Sequence, residues 1–401
     1  MSRESTLTKT AVRKRNNFVK SMRLGFFHPT GCLHTTSRRV ADANPDWLDV
    51  EMHKRLASLV EEVGFDYIFM LDFPIPYGPE STRAKHMDPL LQPIMLAPYL
   101  FAATKRIGVV TTLYTTTFLP AAIARIGANL DVLSGGRWGW NVVTGIPPRG
   151  EYTGEVFGVD FPSHQDRYDA ADELITIVKA LWTSDEPIDF EGKFHRSKGK
   201  IVGPKPLQEP WPLIVQAGGS PRGREFAAKH TDYNFMIAMD PEKGAELLAD
   251  TRARAVQHGR QEDDVVSQFA ILIFMRDTDE EAREFYRSVV GSLDWGAVAE
   301  YYDAAADPGG VKETADMYAG LSRKEILEHW GIGQGLFRLV GSPETIAEGL
   351  LKMYQVGCLN GFALSFPIWS EHAIRDFAEK VLPILKAEGV WIPPWERDWC
   401  W

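Results

Sequence analysis

The chain has 401 residues, 44% hydrophobic and 24% charged, with a formal net charge of −10. That composition supplies a large core, and the acidic balance argues against a general nucleic-acid binder. Cys32, Cys358 and Cys400 stand far apart, with no Cys-x-x-Cys and no His/Cys cluster. Neither a disulfide framework nor a metal site is therefore expected, and a reducing cytoplasm is the default.

No apolar run approaches the roughly 20 residues of a membrane span, so no membrane partner is expected. Residues 1–20 are polar and carry Lys9, Arg13, Lys14, Arg15 and Lys20. With no apolar stretch behind them they read as a disordered or extended arm rather than a secretory signal. Met22–His28 is the first predicted strand. Leu48–Val63 reads as a helix with Leu48, Met52, Leu56, Leu59 and Val63 on one stripe, stopped by Gly64. Phe65–Leu71 is a second strand, ending at Asp72. Pro89–Thr104 is helical, Arg106–Thr112 a third strand, and Ala121–Leu133 a helix closed by Ser-Gly-Gly. A fourth strand holds Trp138, Gly139, Trp140 and Asn141. Residues 145–165 are rich in Gly and Pro and read as a long loop. Asp166–Trp182 is a helix, and a small hairpin is expected around Phe190–Phe194.

Leu213–Ala217 is a fifth strand, followed by Gly218-Gly219-Ser220 and a helix over Pro221–His230 with proline in its first turn. Tyr233–Ala238, Ser267–Met275 and Leu359–Phe366 complete eight strands. Helices are expected over Glu242–His258, Asp279–Val290, Glu344–Val356 and Glu371–Glu388. Residues 292–335, rich in Gly, Asp and Ala, break the rhythm and read as an insertion. Such alternation predicts a parallel sheet, and eight strands suit closure into an α/β (β/α)8 TIM barrel with insertions after strands 4 and 7. The competitor is an open doubly wound sheet. Phe26-Phe27-His28-Pro29-Thr30-Gly31 stands where such a fold would carry its glycine fingerprint. The expected organisation is one domain over 21–390 and a Trp-rich tail over 391–401.

In a barrel the ligand sits at the C-terminal ends of the strands. Those ends offer His28, Asp72, Thr111, Thr112, Asn141, Thr144, Gly218, Gly219 and Ser220. The set has no carboxylate pair, no clustered metal ligands and no Gly-x-Ser-x-Gly elbow. It suits a tightly held cofactor that brings its own reactivity. A buried amide needs partners, so Asn141 either faces a polar ligand or satisfies a backbone turn. Trp138 and Trp140 share one face of their strand, opposite to Asn141. The Gly218–Ser220 turn, between strand and helix, is either a phosphate cradle or a tight turn with a serine cap. Arg167 opposes its helix dipole, which either a bound anion or a salt bridge to Asp169 or Asp172 would relieve. His28 and His34 are candidates for acid/base work, structural histidines being the alternative.

The segment Leu133-Ser-Gly-Gly-Arg-Trp-Gly-Trp-Asn-Val-Val-Thr-Gly145 resembles the bacterial-luciferase-like flavin monooxygenases. Within them it is similar to the nitrilotriacetate and dibenzothiophene-sulfone group, and also to pyrimidine oxygenase. Thr30-Gly31 through Arg39, Asp166-Arg-Tyr-Asp169, Val215-Gln-Ala-Gly-Gly-Ser220 and Leu339-Val-Gly-Ser-Pro343 extend the likeness in order over residues 22–390. The resemblance implies a barrel that binds FMN, used as FMNH2 and supplied by a separate NAD(P)H-dependent flavin reductase, in a homodimer or homotetramer. It implies that Asp72 and Phe73 lie along the flavin ring and that Thr112 and Asn141 lie at its reactive edge. Glu151 would face the ribityl chain, and Arg167, Tyr168 and Ser220 would hold the phosphate. Cys32 and Leu33 replace the paired histidines that many members of the group carry in the first loop.

The reading that follows is a two-component monooxygenase. It would use O2, through a flavin peroxide, to oxygenate a small heterocycle, sulfone or aminopolycarboxylate, with 145–165 and 292–335 as lids. The rival readings are a deazaflavin-dependent hydride-transfer enzyme on the same barrel, a non-catalytic flavin-binding protein, and a metal-dependent barrel hydrolase.

Overall fold

The computed structural model describes residues 21–145, 150–238, 240–305, 318, 320–357 and 359–397. The arm over 1–20 lies outside the described residues, as do Cys358, Cys400 and the last residues of the tail.

The strands are β1 (Arg23–Phe27), β2 (Tyr67–Met70), β3 (Gly108–Tyr114), β4 (Trp138–Val143), β5 (Ile188–Glu191), β6 (Arg196–Gly199), β7 (Leu213–Ala217), β8 (Tyr233–Met236), β9 (Val266–Met275), β10 (Phe337–Gly341) and β11 (Gly361–Ser365). Eight of them pair in parallel in the cyclic order β1-β2-β3-β4-β7-β8-β9-β11, and β11 returns to β1. The chain is therefore a closed barrel, and the open-sheet alternative falls away. All eight predicted strands are present. The hairpin appears as β5 against β6. β10 was not anticipated. It pairs with the outer half of β9, next to the barrel proper, and four of its five residues are only half buried.

Register fixes which side chains enter the barrel. A Cβ at Gly25 would overlap the Tyr67 ring, so Gly25 faces inward, and Arg23 and Phe27 share its parity. Following the pairs round the ring, Phe69, Val110, Thr112, Gly139, Asn141, Val215 and Phe235 also point inward. Trp138 and Trp140 point outward and meet the Trp182 ring at 6.3 and 6.4 Å. Their faces are thus opposite to that of Asn141, as alternation requires.

The region 145–165 is less irregular than its composition suggests, since it holds a helix over Gly150–Phe157. Residues 292–335 contribute helices Trp295–Ala305 and Arg323–Gly331. The first docks on the loop after β2. Glu300 accepts from the Ser81 backbone at 2.8 Å, and Tyr301 packs against Tyr77 and His86 with ring centroids 4.4 and 4.7 Å apart. The last expected helix is two, Glu371–Lys380 and Leu382–Ala387, broken where Pro383 follows Leu382. The tail folds onto the opposite end of the barrel. Trp391 is buried, Ser21 Oγ accepts from the Ile392 backbone at 3.1 Å, and Arg397 pairs with buried Asp66.

Candidate functional site

The C-terminal ends of β2, β3, β4 and β7 carry the polar groups of the mouth. Asn141 is fully buried, and its Nδ2 donates to Thr112 Oγ1 at 2.8 Å. Thr112 in turn donates its hydroxyl proton to the Met70 carbonyl at 2.8 Å. The threonine therefore has no proton left to offer a ligand. It orients the amide, and Asn141 Oδ1 has no hydrogen-bond partner among the described residues. A buried carbonyl oxygen without a partner is costly, and here it faces the barrel mouth, where a ligand N–H would satisfy it.

Asp72 follows β2 and is 6% exposed. Burial pushes its carboxyl up to about 7, against the opposing pull of the Phe73 backbone N–H. Its backbone carbonyl accepts from the Tyr114 hydroxyl at 3.0 Å, which ties the ends of β2 and β3 together. Phe73 lies on Tyr77 with ring centroids 4.5 Å apart. Through Tyr77 it reaches Tyr301 of the inserted helix.

Next to β4 in the ring, β7 runs into Gly218-Gly219-Ser220 and the helix Pro221–His230. Ser220 caps that helix by accepting from the Gly223 backbone at 3.1 Å. The cap is real, yet it does not account for the rest of the turn. The Tyr168 hydroxyl bonds Thr144 and Ser220, and Gln216 Nε2 donates to it at 3.5 Å. A Cβ at Gly218 would overlap the Gln216 amide, and one at Gly223 would stand 2.9 Å from the Tyr168 oxygen. Gly219, by contrast, borders open space. Hydroxyls, backbone N–H groups and a helix N-terminus thus stand together beside the open side of Gly219, a donor set that suits an anion.

The helix beneath starts earlier than expected. Ser163 is its N-cap and accepts from the Asp166 backbone, so the helix runs His164–Thr183. Arg167 turns back from it, with its guanidinium 4.8 Å from the Phe161 ring centroid and a bond to the Pro162 carbonyl at 3.2 Å. Asp169 and Asp172 are instead bound by Arg222, at 2.7 Å each. Arg222 also lies over the Tyr168 ring, 5.5 Å from its centroid. The two carboxylates within reach of Arg167 along the helix are thus taken up by Arg222.

The structure therefore gathers Thr112 and Asn141 at the ends of β3 and β4, Asp72 and Phe73 after β2 on one side of them, and Tyr168, Gly218, Gly219 and Ser220 after β7 on the other, with Arg167 next to Tyr168 on its helix. Glu151 lies in the helix Gly150–Phe157, but its side chain is outside the described residues. His28 is a correction. Its parity turns it away from the mouth, and it sits under the helix Val50–Val63, with Nε2 bonded to His53 Nδ1 at 2.9 Å. Burial and the neighbouring His53 hold it well below the usual histidine range. His34 is the histidine that reaches the mouth, edge-on to Phe27 with ring centroids 4.4 Å apart. Ser365 at the end of β11 and Trp369 beyond it also reach the mouth and were not foreseen. Gly361, Ala363 and Ser365 make one small-residue face, a signal the sequence did contain for the serine, whereas Trp369 had none. Among the described residues no group of three or more His, Cys, Asp or Glu could hold a metal, and no helix is long and apolar enough to cross a membrane.

A closed eight-stranded parallel barrel, with a glycine turn capped by Ser220 after its fifth strand and a buried amide with an open acceptor on its fourth, is a TIM-barrel fold with polar groups at the ends of its strands. Residues 22–359 match the family model described as luciferase-like monooxygenase, and the chain belongs to that family. It is 29% identical to the FMNH(2)-dependent dimethylsulfone monooxygenase of Pseudomonas putida, over 84% of this chain and 88% of that one. It is also 29% identical to the long-chain alkane monooxygenase of Geobacillus thermodenitrificans, over 88% of this chain and 86% of that one. Nitrilotriacetate and dibenzothiophene-sulfone monooxygenases are among its relatives too. Among solved structures, riboflavin lyase with modified FMN and riboflavin superposes with a TM-score of 0.81 at 29% identity, covering 93% of both chains.

Proposed function

We propose that the chain is the oxygenase component of a two-component system. It takes reduced FMN from a separate NAD(P)H-dependent flavin reductase and uses O2 to oxygenate a small heteroatom-containing organic molecule. The observation that carries this reading is Asn141 Oδ1, an unpartnered acceptor whose amide Thr112 holds at the end of β4, next to β7 and its Gly218-Gly219-Ser220 turn. The residues fit the cofactor. Gly218, Gly219, Ser220, Tyr168 and Arg167 would hold its phosphate, Asp72 and Phe73 would flank its ring, Asn141 would accept from a ring N–H, and Glu151 would border the ribityl chain. Reduced FMN, when bound, supplies the electrons that activate O2.

The chain's own residues do the rest. Thr112 fixes the Asn141 amide, so its dipole is set before any charge develops. Phe27, Phe69 and Phe235 keep the floor of the mouth apolar. Phe73, Tyr77 and Tyr301 form a chain of ring contacts to the inserted helix, and this aromatic cover would keep water from a cofactor ring held beside Phe73. Assembly as a homodimer or homotetramer belongs to the same reading. The helix Pro93–Ala103 is buried on one face yet leaves Met95 and Tyr99 65% and 51% exposed, one turn apart, as a seat for a second copy. The cytoplasm, with its NAD(P)H, is the compartment that suits such a pair.

The test is to supply FMNH2 and O2 with sulfones, heterocycles and aminopolycarboxylates and to look for a product carrying one new oxygen atom. Product from any of these supports the reading. FMN binding with no product from any of them, or product formed anaerobically with reduced deazaflavin, sinks it.

A further inference from the structure

His34, Ser365 and Trp369 are each at most 2% exposed. Their polar atoms, His34 Nδ1 and Nε2, Ser365 Oγ and Trp369 Nε1, have no hydrogen-bond partner among the described residues. One buried orphan is a local flaw, but three neighbouring side chains with open valences describe a surface awaiting a ligand. The His34 ring stands edge-on to Phe27 at 4.4 Å and 6.5 Å from the Trp369 ring. Ser365 comes one residue after Leu364, the register partner of Phe26, which sets it beside Phe27. In the ring of strands β11 and β1 lie diametrically across from β4 and β7, where Asn141 and the Ser220 turn stand. These three side chains are thus on the far side of the mouth from every residue of the amide and the phosphate cradle.

Their chemistry is uniform. Burial, with His86 nearby, lowers His34 to about 3, so its imidazole is neutral and offers one donor and one acceptor. Trp369 offers a donor and Ser365 a hydroxyl. Arg338, on β10, is already taken up by Tyr286 and His329. Around the polar atoms the surface is aromatic: Phe69 and Phe235 stack at 5.3 Å beside Phe27. His34, Ser365 and Trp369 themselves offer a charged ligand no counter-charge for the hydration it would lose among them.

We propose that His34, Ser365 and Trp369 form the substrate-recognition wall, and that they select an uncharged molecule whose acceptor oxygen, as in a sulfone, ketone or amide, is set in apolar surface. Polycarboxylates are rejected. This deepens the reading above and rests on it.

The experiment titrates FMN-loaded protein with dibenzothiophene sulfone, N-methylpyrrolidone and nitrilotriacetate, following the visible flavin spectrum and needing no turnover. A neutral probe should perturb the spectrum and nitrilotriacetate should not. His34→Phe should weaken the neutral probe by about tenfold or more and Ser365→Ala by about threefold, with FMN affinity unchanged. Ser365→Ala removes only a hydroxyl and keeps the test if His34→Phe fails to fold. Tighter binding of nitrilotriacetate than of either neutral probe, no response to all three, or unchanged affinity in both variants overturns the proposal and leaves flavin binding standing. Failure of the wild-type protein to bind FMN overturns both readings together.

Discussion

Replacing Thr112 by valine preserves its shape and removes one hydroxyl. Two bonds go with it: the one accepted from Asn141 Nδ2 and the one donated to the Met70 carbonyl, both 2.8 Å. A net hydrogen bond is worth about 0.5–1.5 kcal/mol, and a buried group left unpaired costs about 1–3 kcal/mol. The amide of Asn141 then has nothing to fix its rotamer, and its Oδ1 no longer points reliably at the ligand. The expected result is a rise in the Kd for FMN of about 5–30-fold, equivalent to about 1–2 kcal/mol. Asn141→Ala removes the contact itself and should cost at least as much. The double variant decides the issue. Because Thr112 acts through Asn141, the double variant should bind FMN as Asn141→Ala does, a coupling of about 1–2 kcal/mol. Fluorescence titration with oxidised FMN and anaerobic titration with the reduced form give the Kd values, and urea unfolding checks that each variant is folded. Losses that simply multiply would show that the two residues act independently and that the orienting role of Thr112 is wrong.

Gly219 borders open space, so Gly219→Ala should leave the urea midpoint unchanged while raising the FMN Kd about tenfold, the mark of a phosphate seated there; unchanged affinity places the phosphate elsewhere. Gly218→Ala, whose Cβ meets Gln216 and Tyr168, should lose both stability and affinity in the same assays. Burial raises Asp72 to about 7, so the folded state binds its proton more tightly than the unfolded chain. Stability should therefore fall as pH rises from about 4 to about 7, and Asp72→Asn should flatten that slope in unfolding curves taken across the window. His28 is held well below its ordinary value, so its share of stability is lost as pH falls below about 6.5. His28→Gln should reduce acid lability and leave the FMN Kd within about twofold, since the ring lies under a helix and not in the mouth; a larger loss of FMN affinity would restore it to the site.

The barrel was legible in the chain itself. Eight apolar runs separated by amphipathic helices leave few ways to bury both faces of a parallel sheet, and β-branched and aromatic clustering marks each strand. The face of Asn141 was legible too, because strand alternation sets the amide against Trp138 and Trp140 whatever surrounds them. The glycine turn at 218–220 could be read for the same reason: a strand, two glycines and a capping serine are a local arrangement. Which histidine reaches the mouth is a different kind of question, and packing answered it. His28 and His34 are six residues apart, and their roles separated only when the Tyr67 ring forced Gly25 inward and so turned His28 out. Packing also made Arg222 rather than Arg167 the partner of Asp169 and Asp172, since that pairing joins residues about fifty positions apart. Local pattern fixes periodicity and capping, but which side chain meets which across the barrel depends on register and on contacts between distant segments. Trp369, far along the chain from the other residues of the mouth, therefore became visible only once the ring of strands had closed, and Ser365, whose small-residue face the chain did display, was set beside His34's loop only by the β11–β1 pairing.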